Sequence, residues 1–143
     1  MEVKKVHFQW RPEMKIVAVP PSGHVVLMDD AEGDTGPRPM ELVLVALGGC
    51  TGMDVVSILR RMRVQWDDFR IEIEAKRKDT HPKVYVQIHL RYIFVGKDLP
   101  LRKLERAVEL SQNKYCSVTA MLRCTATITH EIVVHDPDAP LDR

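Results

Sequence analysis

Apolar and polar residues alternate in three short stretches at the start of the chain, give way to one long apolar run, and alternate again after it. In "VKKVHFQW" (3–10), Val6, Phe8 and Trp10 fall on one face, which predicts a strand. "KIVAV" and "HVVLM", set off by Pro12 and by Pro20-Pro21-Ser22-Gly23, predict two more in a hairpin or meander. The polar stretch "DDAEGDTGPRP" (29–39) predicts a loop. From Pro39 the apolar run is too long for a strand and predicts a helix. Glu41 suits its amino end, and Arg60, Arg61 and Arg63 suit its carboxyl end. "FRIEIEAKRK" (69–78) and "KVYVQIHLRYIFVG" (83–96) alternate strictly and predict an antiparallel hairpin across "DTHP". "DLPLRKLERAVELSQNKYC" turns to helical period, with Asp98 as the expected cap and Leu101, Leu104, Val108 and Leu110 in its apolar stripe. A short second helix follows from about Cys116, then a last strand, "TATITHEIVV" (125–134), and a polar tail (135–143) without packing potential. Strands and helices in unequal groups predict an α+β fold rather than a doubly wound parallel sheet, and the length of 143 residues predicts a single domain over 1–143.

The long run, "ELVLVALGGCTGMDVVSILRRM" (41–62), has the length of a membrane span. Its uninterrupted apolar stretch nevertheless stops at Gly48, it holds three glycines and Asp54 near its centre, and no second apolar segment accompanies it. No membrane is therefore expected. Apolar residues occupy nearly every angle of this helix, so it must be covered on all sides, which one sheet of a single chain cannot do. A dimer in which two such helices pack together under both sheets would cover it. Gly48, Gly49 and Gly52 would let another backbone come close.

Composition changes this picture little. A hydrophobic fraction of 45% and a charged fraction of 29% fit an ordinary globular protein, and a net charge of +1 offers no field for nucleic acid. "MEVKKVHFQW" carries no secretory pattern, so a cytoplasmic location is expected. Six histidines lie on different elements without ligand spacing, and no glycine-rich loop cradles a phosphate, so no metal and no cofactor is expected. His7, His89 and His130 could stand on neighbouring strands. Cys50, Cys116 and Cys124 are too few for a disulfide scaffold. Cys50 and Asp54, four residues apart on a helix, share a face. They are a small core residue and a bonded aspartate, or a buried thiol whose surroundings tune its ionisation.

Two segments favour the second possibility. "GPRPMELVLVALGGCTGMDVVSILRRM" and "LERAVELSQNKYCSVTAML" resemble the two cysteine motifs of the OsmC/Ohr family of osmotically inducible and organic hydroperoxide resistance proteins. The first motif is most similar to the branch written Pro-Met-Glu followed by Gly-Gly-Cys, and the resemblance in element order runs from about residue 20 to 134. It implies an antiparallel sheet wrapped around a long buried central helix, in an intertwined homodimer with thiols at the interface. It also implies thiol-dependent reduction of organic hydroperoxides, with Cys50 as peroxidatic and Cys116 as resolving thiol and a dithiol as reductant. Cys116, at the start of a short helix, would gain from the helix dipole, which lowers a thiol pKa. The family's peroxidases pair a glutamate ten residues before the cysteine with an arginine that orients the peroxide. Here that position is Met40, and Glu41 stands nine before Cys50, roughly opposite it on a straight helix. Glu41 is then a helix-start charge or a displaced member of that pair, with Arg38 or Arg11 as its partner. Cys124 matches neither motif and reads as a filler on a strand edge. The rival reading is a dimer of the same fold that binds a small apolar ligand or partner at the interface.

Overall fold

Alternation in the first 30 residues becomes an antiparallel meander of β1 (His7–Trp10), β2 (Ile16–Val19) and β3 (Val26–Met28) in the computed structural model, which describes residues 1–138. The predicted tail therefore lies mostly outside the described residues. The chain divides into two compact units, Met1–Val45 and Ala46 onward. In the first, the register runs from His7↔Val19 to Trp10↔Ile16, and Ala18 on the central strand is the buried residue of the sheet. Phe8 and Trp10 share the predicted face, but in the single chain they are 64% and 61% exposed.

The loop after β3 is ordered around Asp29, which accepts hydrogen bonds from the amides of Asp30 (2.8 Å) and Thr35 (3.2 Å) and from the Thr35 hydroxyl. The Thr35 hydroxyl contributes most to holding the Asp29 carboxyl below its ordinary range. Helix α1 (Pro39–Arg61) then opens as its sequence predicts, with Pro39 in its first turn. Its far end closes with Arg63 in the left-handed region (φ 59°). The Val64 amide reaches Leu59 O and the Arg63 amide reaches Arg60 O, both at 3.0 Å.

In the second unit, β4 (Asp68–Arg77), β5 (Tyr85–Val95) and β6 (Thr127–His135) form a sheet in that order. The β4–β5 hairpin is antiparallel as predicted, with Phe69 stacked on Phe94 at 4.7 Å between centroids. Of the antiparallel sheet that the resemblance implied, β4 and β5 are antiparallel, whereas β6 runs parallel to β5, Gln87↔Thr127 through Val95↔His135. Alternation cannot tell the two pairings apart. The physical cause is the intervening helical segment, a crossover long enough to bring the chain back to the starting edge of β5. β5, flanked on both sides, buries Tyr85, Ile88, Leu90, Tyr92, Ile93 and Phe94.

By length and composition α1 could cross a bilayer, but its buried residues fall four apart, Leu47, Thr51, Val55 and Leu59, in the stripe of a core helix. Gly48 and Gly52 face β4: an added methyl would meet Ile73 Cδ1 at 3.3 Å and Ile71 Cδ1 at 3.4 Å. These glycines admit sheet side chains, whereas the sequence suggested another backbone, and Gly49 faces open space. The expected burial all round is thus confined in the single chain to one face, with Met53 77% exposed.

After β5, Asp98 takes a left-handed conformation (φ 52°) and caps nothing; α2 (Leu101–Leu110) starts behind Pro100 instead. Leu104, Ala107 and Val108 are buried, while Leu101, predicted for the stripe, is exposed. The predicted continuous helix widens at Ser111–Tyr115 into a single π-helical turn before α3 (Ser117–Leu122). Such turns recur at functional sites.

Candidate functional site

The π turn places Cys116. Its amide donates to Ser111 O at 2.8 Å, its backbone is extended (φ −74°, ψ 102°), and its Sγ accepts from the Thr119 amide at 3.4 Å as the cap of α3. Cys50 and Asp54 project from the same face of α1. The two sulfurs and a carboxylate oxygen of Asp54 lie within 4.8 Å of one another, and no disulfide joins the cysteines. Cys116 is buried, whereas Cys50 and Asp54 are half-buried. The access of a reagent is therefore through Cys50.

A chain of buried hydroxyls ends on Asp54. Ser111 Oγ donates to Asp54 Oδ2 at 2.9 Å, Thr51 Oγ1 lies 2.7 Å from Ser111 Oγ and 2.7 Å from the Tyr92 hydroxyl, and Gln112 Nε2 donates to Tyr92. One proton per hydroxyl fixes every direction. Ser111 gives its proton to a carboxylate that only accepts, so Thr51 must donate to Ser111 and Tyr92 to Thr51. The phenol is then free only to accept, which fixes the Gln112 amide with its nitrogen toward Tyr92. Four donors therefore point one way, toward Asp54, and each polarises the next. Burial pushes the Tyr92 phenol up, so it keeps the proton that this direction requires. Among the described residues no lysine or arginine pairs with Asp54.

The Cys116 thiol is pushed up by its burial, which outweighs the lowering by Thr119, whose amide donates to the sulfur; Cys50 beside it pushes in the same direction as burial. The expectation that the helix dipole would lower this thiol is corrected: α3 has six residues and desolvation dominates.

Arg38 and Glu41 lie in the first unit and form their own constellation. Glu41 Oε1 accepts from the Arg38 amide at 2.9 Å, and the Arg38 guanidinium holds Asp34 at 2.8 Å and Glu41 at 3.8 Å. Glu41 reaching back over three residues to the amide before the helix is the reciprocal half of a capping box. The Asp34 hydrogen bond raises the Arg38 pKa further. Arg11 closes the β1–β2 turn, its amide on Lys15 O. Cys124 stands in an exposed turn rather than on a strand edge, with Sγ 3.8 Å from Ala120 O. His89 and His130 are on neighbouring strands, but His130 pairs with Leu90, so the two imidazoles face opposite sides of the sheet. His130 sits edge-on to Tyr92, and burial lowers its pKa.

Thr51, Tyr92, Ser111 and Gln112 were not foreseen. One signal was available: Thr51 is the polar member of the Leu47–Leu59 stripe, and a hydroxyl on a buried stripe needs a partner. Beside this network, an open groove of about 650 Å³ runs along Gly48, Gly52, Met53 and Val56 of α1 to Phe69 of β4, ending at Arg60 and Arg61.

The sequence pattern that defines the OsmC-like protein family matches residues 31–131. Protein YhfA of Escherichia coli strain K12 is 40% identical over 126 residues, 88% of this chain and 94% of that protein. A crystal structure of a protein from Aquifex aeolicus VF5 superposes with a TM-score of 0.81 at 36% identity, covering 94% of this chain and 99% of that one. The organic hydroperoxide resistance protein OhrB of Bacillus subtilis superposes with a TM-score of 0.62 over 92% of this chain and 98% of its own; at 16% identity this likeness is one of fold.

Proposed function

The chain belongs to the OsmC-like protein family, and on that premise we propose that it is a thiol-dependent peroxidase reducing organic hydroperoxides through Cys50 and Cys116. The observation that carries the reading is the approach of the two sulfurs within 4.8 Å, one of them half-exposed and the other buried. The name of the OhrB neighbour supports the substrate class.

The Cys50 thiolate attacks the distal peroxide oxygen; the O–O bond breaks, the alcohol leaves with a proton, and Cys50 becomes a sulfenic acid. Cys116 sulfur then attacks the Cys50 sulfur, its proton leaves with the hydroxyl as water, and a disulfide forms. A dithiol supplies the two electrons that reset the pair. The raised pKa of Cys116 suits this order, because it stays a thiol while Cys50 reacts. Exposed Phe8, Trp10 and Met53 support a homodimer in which a second copy covers them, and a reducing cytoplasm would keep the thiols free between turnovers. The two units would together make the single OsmC-like domain. Arg38 and Glu41 enter more narrowly, as a charged pair that would orient the peroxide only if Glu41 does more than cap α1.

The test is hydroperoxide consumption by the anaerobically reduced chain with a dithiol. Cys50→Ser should abolish it. Cys116→Ser should halt after one turnover with a sulfenic acid trapped by a dimedone probe. Consumption that survives both substitutions defeats the proposal.

A second reading rests on the groove beside α1, whose volume falls in the range of small-molecule sites. An apolar ligand bound there, with thiols inert to peroxide, would favour a binding protein of the same fold.

A further inference from the structure

We propose that Cys50, Asp54 and Cys116 form a three-ligand site for a soft divalent cation, Zn²⁺ by its donor chemistry, that occupies the same sulfurs as the disulfide and excludes it. The inference stands on the ligand geometry and does not need the peroxidase reading.

Cys50 and Asp54 at i and i+4 on α1 direct two donors from one helical face, and the π turn before α3 brings a third from 66 residues away in sequence. A tetrahedral zinc centre has Zn–S of about 2.3 Å and Zn–O of about 2.0–2.2 Å, which sets donor atoms roughly 3.5–3.8 Å apart. Donors already within 4.8 Å of one another need close by only about 1 Å, within the reach of their side-chain torsions. Two thiolates and a carboxylate select zinc over the hard cations, which take oxygen ligands, and three protein ligands leave a fourth position open to water.

Two further features fit a cation. The carboxylate that would bind is fixed by Ser111, itself held by Thr51, Tyr92 and Gln112, an outer support of the kind that orients metal ligands. The three donors also converge without a positive partner: no lysine or arginine among the described residues pairs with Asp54, so the charge that the two sulfurs would carry once metal displaces their protons is left for the cation itself to balance.

Binding replaces both thiol protons with Zn²⁺. Oxidation reverses it: two thiolates, a hydroperoxide and two protons give the disulfide, an alcohol and water, and the cation is released because neither sulfur retains a thiolate charge. The site would thus hold metal when reduced and shed it when oxidised.

The test uses the full chain, reduced and chelator-treated, titrated anaerobically with Zn²⁺ against a chromophoric competitor. One zinc per chain is expected. Ser111→Ala should weaken binding by roughly 10–100-fold, and Cys50→Ser, Cys116→Ser and Asp54→Asn by at least that much, while Cys124→Ser leaves it unchanged. Co²⁺ in the wild-type chain should give the intense visible bands of a tetrahedral thiolate site, which removes the question of whether a variant folds. Absence of zinc binding that withstands the competitor overturns the proposal, as does binding lost in Cys124→Ser or unaltered in Asp54→Asn. Hydroperoxide consumption measured with chelator present tests the peroxidase reading separately, so either can fail without the other.

Discussion

The Asp29–Glu41 segment and the Cys50–Asp54–Cys116 cluster both gather acidic groups, and they treat them in opposite ways. In the first, the charges of Asp29, Asp34, Arg38 and Glu41 are answered locally. Asp29 accepts from three donors at Asp30 and Thr35, Arg38 lies between Asp34 and Glu41, and Glu41 closes the cap of α1. In the second, a carboxylate and two thiols converge with hydroxyl support and with no lysine or arginine among the described residues paired to the carboxylate. Answered charges fix a loop and a helix start. On the proposed function, the converging thiols and carboxylate are the site and the locally answered charges its scaffold.

Breaking the cluster should therefore remove activity, whereas breaking the loop should only loosen the fold. The largest effect is expected from Cys50→Ser, which should reduce hydroperoxide consumption to the uncatalysed background in a steady-state assay. Next comes Thr51→Ala, which cuts a fully buried chain in the middle and leaves the Tyr92 proton without its acceptor and Ser111 without its donor. It should cost about 1–3 kcal/mol in urea unfolding, the range for a buried polar group left unpaired.

A pH comparison sharpens the same contrast. In reduced, chelator-treated protein, the fraction of Cys116 present as thiolate rises at higher pH than for an ordinary thiol, because burial holds its pKa up. Alkylation of Cys116, followed by peptide mass spectrometry, should therefore keep accelerating at pH values where a small free thiol in solution has levelled off. Asp29 has the opposite sign. Its lowered carboxyl contributes stability above the unfolded value, about 3.9, and that contribution is lost as pH falls through the lower folded value. Thr35→Ala removes the largest cause of the shift, so the acid-unfolding midpoint should move upward. The smallest effect is expected from Glu41→Gln, which retains a side chain able to reach the Arg38 amide. It should change stability by less than about 1 kcal/mol, and turnover unaltered by it would assign Glu41 to the helix cap alone.

Much of this was legible in the sequence. Pro39, Glu41 and Arg60–Arg61 mark the ends of α1 through the chemistry of helix termini, and strict alternation marks β4 and β5. Cys50 and Cys116 stood out by the motifs around them, and the i,i+4 spacing put Asp54 on the face of Cys50. Alternation could not give the direction of β6, because parallel and antiparallel strands share a period of two. Nor could helical period give the π turn at Ser111–Tyr115, although that turn is what brings Cys116 to Cys50. The Thr51–Tyr92–Ser111–Gln112 chain was hidden for the same reason: its members come from α1, β5 and the π turn, and only the packed structure makes them neighbours.

The central claim is that Cys50 and Cys116 act as one redox pair. Its most direct test is mass spectrometry of the anaerobically reduced, chelator-treated chain after one equivalent of an organic hydroperoxide. The account predicts a loss of two hydrogens from the intact chain and a single cross-linked peptide pair joining Cys50 to Cys116, with Cys124 still free. An unchanged mass, or a disulfide formed through Cys124 with Cys50 and Cys116 still reduced, would contradict it.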